Sequence, residues 1–178
     1  MDDLREKSGR HTGNRAQTRA QIVATFNRLM LEGDSDRPRV AEIVREAGVA
    51  RSTFYDHIDG VKALFDESLS MLLGQLATCL INGGPKSELD WLTAHIHENR
   101  ERGRAMLTGP GAERTEALFA RLLAERLDAR EGGRLYAILI AGSVIAALGA
   151  WITGQINSSP EALSARLLAT STAILTAN

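Results

Sequence analysis

Residues 39–58 read RVAEIVREAGVARSTFYDHI, two helix-forming runs joined by a tight turn at Gly48. In the first run Val40, Ile43, Val44 and Ala47 recur at helical spacing and form an apolar stripe. Gly48 ends that run, as a residue free to take the left-handed conformation that closes many helices. The second run, about Arg51–His57, is too short to be a core element in its own right. At about 100° per residue, Ala50 and Phe54 turn towards the stripe, while Arg51, Ser52, Tyr55 and Asp56 fall within an arc of about 140° on the other side. Thr53 and His57 flank that arc. The outward face therefore offers a guanidinium, hydroxyls, a phenol and an imidazole, groups that suit base edges and phosphate oxygens. This is the outline of a helix-turn-helix, in which the second helix enters the major groove of DNA.

Upstream, Ile22, Val23, Phe26, Leu29 and Met30 form the stripe of an earlier helix. Residues 1–14 are polar and carry Gly9 and Gly13, so they read as a disordered arm. Residues 4–28 hold six basic side chains against Glu6 alone, a local charge of +5. The segment Gly33–Pro38 interrupts the chain, with Ser35 or Asp36 as the expected cap of the next helix and Pro38 in its first turn. Downstream, a fourth helix begins after Asp59-Gly60 with the stripe Val61, Leu64, Phe65, Leu69, Leu72, Leu73, Leu76 and Leu80. It stops at Gly83-Gly84-Pro85. Further helices are expected at about 87–101, 103–108, 112–130, 134–155 and 160–176, the last capped by Ser159 with Pro160 at its first position.

Composition agrees with an all-α chain. Of the 178 residues 44% are hydrophobic, 24% charged and only 4% aromatic, and 25 are alanine. Alanine and leucine favour helix, whereas strands draw on aromatic and β-branched residues. The net charge of −1 points to no partner, although arginine outnumbers lysine 18 to 3. Cys79 is the single cysteine, so neither an internal disulfide nor a multi-cysteine zinc site is available. No apolar stretch resembling a signal peptide occurs in the first twenty residues, and a cytoplasmic location is expected. Leu135–Ile152 reads LYAILIAGSVIAALGAWI and is just long enough to span a membrane. It is rich in alanine, glycine and serine, and a helix apolar all round is also what the centre of a bundle looks like. A membrane-anchored helical protein spanning at 135–152 is the alternative reading, and a helical enzyme without a visible site a third.

The run AEIVREAGVARSTFYDHI, followed by KALF, resembles the DNA-binding domain of the TetR/AcrR family of bacterial transcriptional regulators over about residues 15–70. The resemblance implies an N-terminal three-helix DNA-binding domain (1–60), followed by a helical ligand-binding and dimerisation domain (61–178). It implies base contacts from Arg51 and Ser52 and backbone contacts from Thr53, Tyr55 and His57. Three positions depart from the family pattern. Arg39 stands where a phosphate-touching threonine is usual, Val61 replaces the usual lysine although Lys62 follows it, and Asp56 puts a negative charge on the outward face. The implied partners are a palindromic double-stranded operator, a second copy of the chain and a small apolar or amphipathic inducer whose binding releases a repressor. No membrane partner is expected.

Nothing else in the chain forms a catalytic or metal constellation. His95 and His97 are two apart on a helix and diverge, the glycine pairs lack phosphate-loop spacing, and Asp34 and Asp36 sit in a loop. No cofactor is expected. Trp91, Met106, Phe119 and Tyr136 are large side chains able to line a ligand cavity. In the last two helices Ala141, Ala146, Gly149, Leu163 and Leu167 are expected at a symmetric dimer interface, because small residues let helix backbones approach.

Overall fold

The computed structural model describes residues 3–32 and 38–177, with side chains from residue 15 to 30 in the first stretch. The expected cap at Ser35 or Asp36, and the acidic pair Asp34 and Asp36, lie outside the described residues. Among those described, the chain is all helix: α1 (Asp3–Glu32), α2 (Val40–Ala47), α3 (Arg51–His57), α4 (Val61–Asn82), α5 (Lys86–Glu98), α6 (Arg100–Leu107), α7 (Gly109–Arg126), α8 (Gly133–Ile152) and α9 (Pro160–Thr176). Two compact units divide within α4, the first reaching Leu69 and the second beginning at Ser70.

In the first unit, Ile22, Val23, Phe26 and Leu29 of α1 pack with Ile43 and Ala47 of α2, Phe54 of α3, Ile58, and Leu64 of α4. Full burial of each large aliphatic or aromatic side chain stabilises by about 1.5–3 kcal/mol. Val40 and Val44 pack at the margin of this core rather than within it. Gly48 has φ 64°, and the N–H of Val49 reaches back to the Val44 carbonyl at 3.1 Å, which closes α2 and turns the chain into α3.

Several boundaries differ from expectation. The backbone is helical from Asp3, where an irregular arm to residue 14 was expected; Leu4, Arg5, Glu6 and Lys7 are good helix formers that carry the helix through Gly9 and Gly13. Arg39, in extended conformation, stands at the N-cap of α2 and its carbonyl accepts from the N–H groups of Glu42 and Ile43, so Pro38 precedes the helix instead of opening it. Pro110 lies in the first turn of α7, where a missing N–H costs no helical bond. By contrast, α9 starts as expected: the Ser159 hydroxyl accepts from the Ala162 N–H at 3.2 Å.

The second unit is built around α8, which packs on α6, α7 and α9, while α5 packs on α9. Half of α8 is buried, from Gly133 to Ile152. Its small residues have a local purpose. A Cβ on Gly149 would stand 2.5 Å from the Leu107 carbonyl oxygen, so the end of α6 rests directly on the backbone of α8. Among the described residues α4 and α8 are the helices long and apolar enough to cross a membrane. The neighbours of α8 give it the surroundings of a bundle's central helix, and the membrane-anchored alternative is not favoured.

Candidate nucleic-acid interface

The seven residues of α3 separate cleanly by burial. Phe54 is fully buried, and Arg51, Ser52, Tyr55 and Asp56 are exposed, with Thr53 and His57 half-buried between them. The expected outward arc is therefore a real surface. The Phe54 and Tyr55 rings meet at right angles, 5.3 Å between centroids, which ties the exposed phenol to the core. One turn back, the Arg51 guanidinium lies 5.9 Å from the centre of the Tyr55 ring. A cation–π contact of this kind holds the guanidinium close to the Tyr55 ring on the outward face of α3.

Positive charge surrounds this face unevenly. Arg39 is exposed at the start of α2. Lys62 pairs with Asp66 at 2.7 Å across one turn of α4, both well exposed, and such a surface pair is worth little enough to be exchanged for a phosphate. The α1 arginines are more committed. Arg19 pairs with Glu67, Arg28 with Glu46 at 3.2 Å, and Arg15 donates to the Asp56 carbonyl at 2.9 Å. Arg28 and Arg45 together hold the Glu46 carboxyl below its ordinary pKa. The basic excess at residues 4–28 thus serves partly to join helices within the unit. The carboxylate of Asp56 has no ion-pair partner among the described residues, so pairing with Arg51 does not offset its charge.

The second unit treats its expected site residues differently. Trp91 is 54% exposed and stacks on His95 at 5.2 Å, Phe119 is fully buried, and Met106 and Tyr136 are half-buried on separate helices. Tyr136 lies under the Arg130 guanidinium and its hydroxyl donates to the Ala177 carbonyl at 3.3 Å. The four stand on four different helices, α5 to α8. A cleft of about 680 Å³ lies between the end of α7 and the start of α8, lined by Arg121, Glu125, Asp128, Arg130, Arg134 and Leu135 among others.

The expected dimer residues divide by burial within the single chain. Ala141, Gly149, Leu163 and Leu167 are all buried inside the chain's own bundle, and only Ala146 is exposed. Small size at Gly149 serves the contact with α6. The unsheltered face of α8 is elsewhere: Leu135, Ile138 and Leu139 are 60%, 51% and 47% exposed. Sequence reasoning passed over these three because nothing in an uncharged run distinguishes the outside of a helix from its inside.

A helix-turn-helix with an exposed polar face on its second helix, followed by an all-helical second unit, is the fold of TetR-type regulators. Solved structures agree. The chain is similar to a TetR transcriptional regulator from Streptococcus agalactiae, with TM-score 0.54 at 20% identity over 92% of this chain and 98% of that one. It is similar to the dihydroxyacetone kinase operon activator DhaS, with TM-score 0.53 at 19% identity over 88% and 94%. A third is Thermus thermophilus FadR, a TetR-family repressor in complex with lauroyl-CoA, with TM-score 0.51 at 16% identity over 90% and 96%. No family model and no curated protein matches the chain by sequence.

Proposed function

We propose that the protein is a cytoplasmic, sequence-specific DNA-binding transcriptional regulator that acts as a homodimer. The observation that carries this reading is the exposed face of α3, where Arg51, Ser52 and Tyr55 stand outward on a helix anchored by Phe54. Arg51 and Ser52 contact base edges, with Arg51 the side chain shaped for a guanine O6/N7 edge. Thr53, Tyr55, His57, Arg39 and Lys62 hold the sugar-phosphate backbone. Two such helices in a dimer read a palindrome with half-sites about one or more helical turns apart.

The dimer forms through the outer face of α8, with Leu135, Ile138, Leu139 and Ala146 as its centre. Three large aliphatic side chains on one exposed stripe are what a monomer seldom leaves in water. Repression is the simplest outcome, because occupancy of the site is sufficient for it. A small apolar or amphipathic inducer held in the second unit releases the DNA by binding the unattached state more tightly than the attached one. FadR, with its lauroyl-CoA, is a protein of this fold that holds an amphipathic ligand.

The test is a titration of Arg51→Ala and Lys62→Ala against a duplex enriched from a random pool and against a scrambled one. Arg51→Ala should cost about 1–3 kcal/mol on the enriched duplex and relax preference at one base pair per half-site. Lys62→Ala should weaken both duplexes alike and lower the salt slope by about one for each phosphate no longer neutralised. If wild-type protein enriches no sequence, the reading fails.

A further inference from the structure

We infer that Gln21 and Arg15, both on α1, are positioning residues that set the angle at which α3 is presented to DNA. The inference rests on the proposed reading of α3 as the DNA-contacting helix.

α3 has seven residues, and Phe54 is its buried one, with Ile58 buried just beyond its end. Apolar burial is non-directional, so a helix of about two turns held near its middle by one ring has a pivot and little resistance to rocking about it. Directional contacts on both sides of the pivot are what would stop that motion. α1 supplies them. On the turn side, the Gln21 side-chain amide donates to the Ala47 carbonyl at 2.8 Å. Ala47 is the last residue of α2, and the last carbonyls of a helix have no partner within it. The N–H groups of Gly48 and Val49 go to Arg45 and Val44, which leaves the Ala47 oxygen for a side chain. On the far side, the Arg15 guanidinium donates to the Asp56 carbonyl at 2.9 Å, in the last turn of α3. A cation there also meets the negative end of the helix dipole.

The two anchored carbonyls, at 47 and 56, bracket Phe54 along the chain. Between them lie Arg51 and Ser52, the groups placed on base edges. A bidentate contact to a base tolerates an angular error of only about 10–20°, whereas release of counterions from phosphates depends on charge and hardly on angle. Loss of either anchor should therefore reduce specific binding and spare non-specific binding. Gln21 gives the sharper test because it is uncharged.

The experiment uses the full chain, the duplex that wild-type protein enriches from a randomised pool, and a scrambled duplex of equal length, at several salt concentrations. Gln21→Met keeps the length of the side chain and removes the donor. It should weaken the enriched duplex about three- to tenfold, the range of one missing hydrogen bond, with the scrambled duplex and the salt slope unchanged. Arg15→Met should do the same, and Arg15→Lys, which keeps a donor, should restore most of the loss. A Gln21→Met protein with the wild-type ratio of the two affinities overturns the inference. So does one in which both affinities fall together with Tm, since that is general destabilisation. An Arg15→Met protein that loses both duplexes equally with a salt slope lower by about one makes Arg15 a phosphate ligand and overturns its part. Failure of the wild type to enrich any duplex would instead defeat the DNA-binding reading itself.

Discussion

α3 and α8 divide their surfaces by different rules. α3 buries Phe54 alone of its seven residues and turns a polar face to water. α8 buries ten of its twenty, and much of what it leaves outside is again apolar, at Leu135, Ile138 and Leu139. On α3, then, polarity assigns each residue to one side, because core and outer face differ in chemistry. On α8 the inner and outer faces share a chemistry and only geometry tells them apart. Water satisfies the outer face of the first helix, whereas covering the apolar outer face of the second would be favourable.

The sharpest way to break this comparison is a pair of charges placed three residues apart on α8. Ala141→Arg puts a guanidinium into a fully buried position, where an unpaired charge is not tolerated, and should yield insoluble or unfolded protein. Ile138→Arg, on the exposed face, should yield a folded monomer by sedimentation with helical circular dichroism retained. If both variants fold as dimers, α8 is not the interface.

A smaller effect tests the apolar anchor of α3. Phe54→Ala should destabilise the first unit by about 3–5 kcal/mol, read by urea denaturation, because a fully buried ring leaves a cavity that a two-turn helix only partly closes. An effect below about 1 kcal/mol, the scale of a surface substitution, would mean that the exposed face is held by other contacts.

The smallest expected change concerns a methyl group. Gly149→Ala places a Cβ 2.5 Å from the Leu107 carbonyl oxygen and should cost about 1–3 kcal/mol through overpacking, despite alanine's better helix propensity. An unchanged or raised Tm would show that α6 yields at that point, and that Gly149 is free to serve an interface after all.

The same contrast explains what could be read from the sequence. The arc of Arg51, Ser52, Tyr55 and Asp56 was legible because Phe54 sits opposite it and one short helix settles the phase. The stop at Gly48 and the cap at Ser159 were legible because their chemistry is local. The placement of Ala141, Gly149, Leu163 and Leu167 was not. Small residues such as Gly149 permit close approach to any neighbour and leucines pack on any apolar face, and the sequence does not say whether that neighbour belongs to the same chain or to another. Gln21 and Arg15 were equally hidden, since their partners are backbone carbonyls 26 and 41 residues away, and a carbonyl leaves no mark in a sequence.

Leu64 lies on α4, beyond the end of the helix-turn-helix, yet it is wholly buried in the core beneath α3. The same turns of α4 carry Glu67, which pairs with Arg19, and Ser68, which donates to Asn27. A first unit cut at Gly60 would lose a core side chain, an ion pair and a hydrogen bond together. Transplanting this first unit onto a different second unit, by recombination or by hand, must therefore carry the opening turns of α4 with it. The natural seam for such exchange lies inside a helix, and a graft there has to keep the helical phase, so insertions of three or four residues should be tolerated better than insertions of two or five.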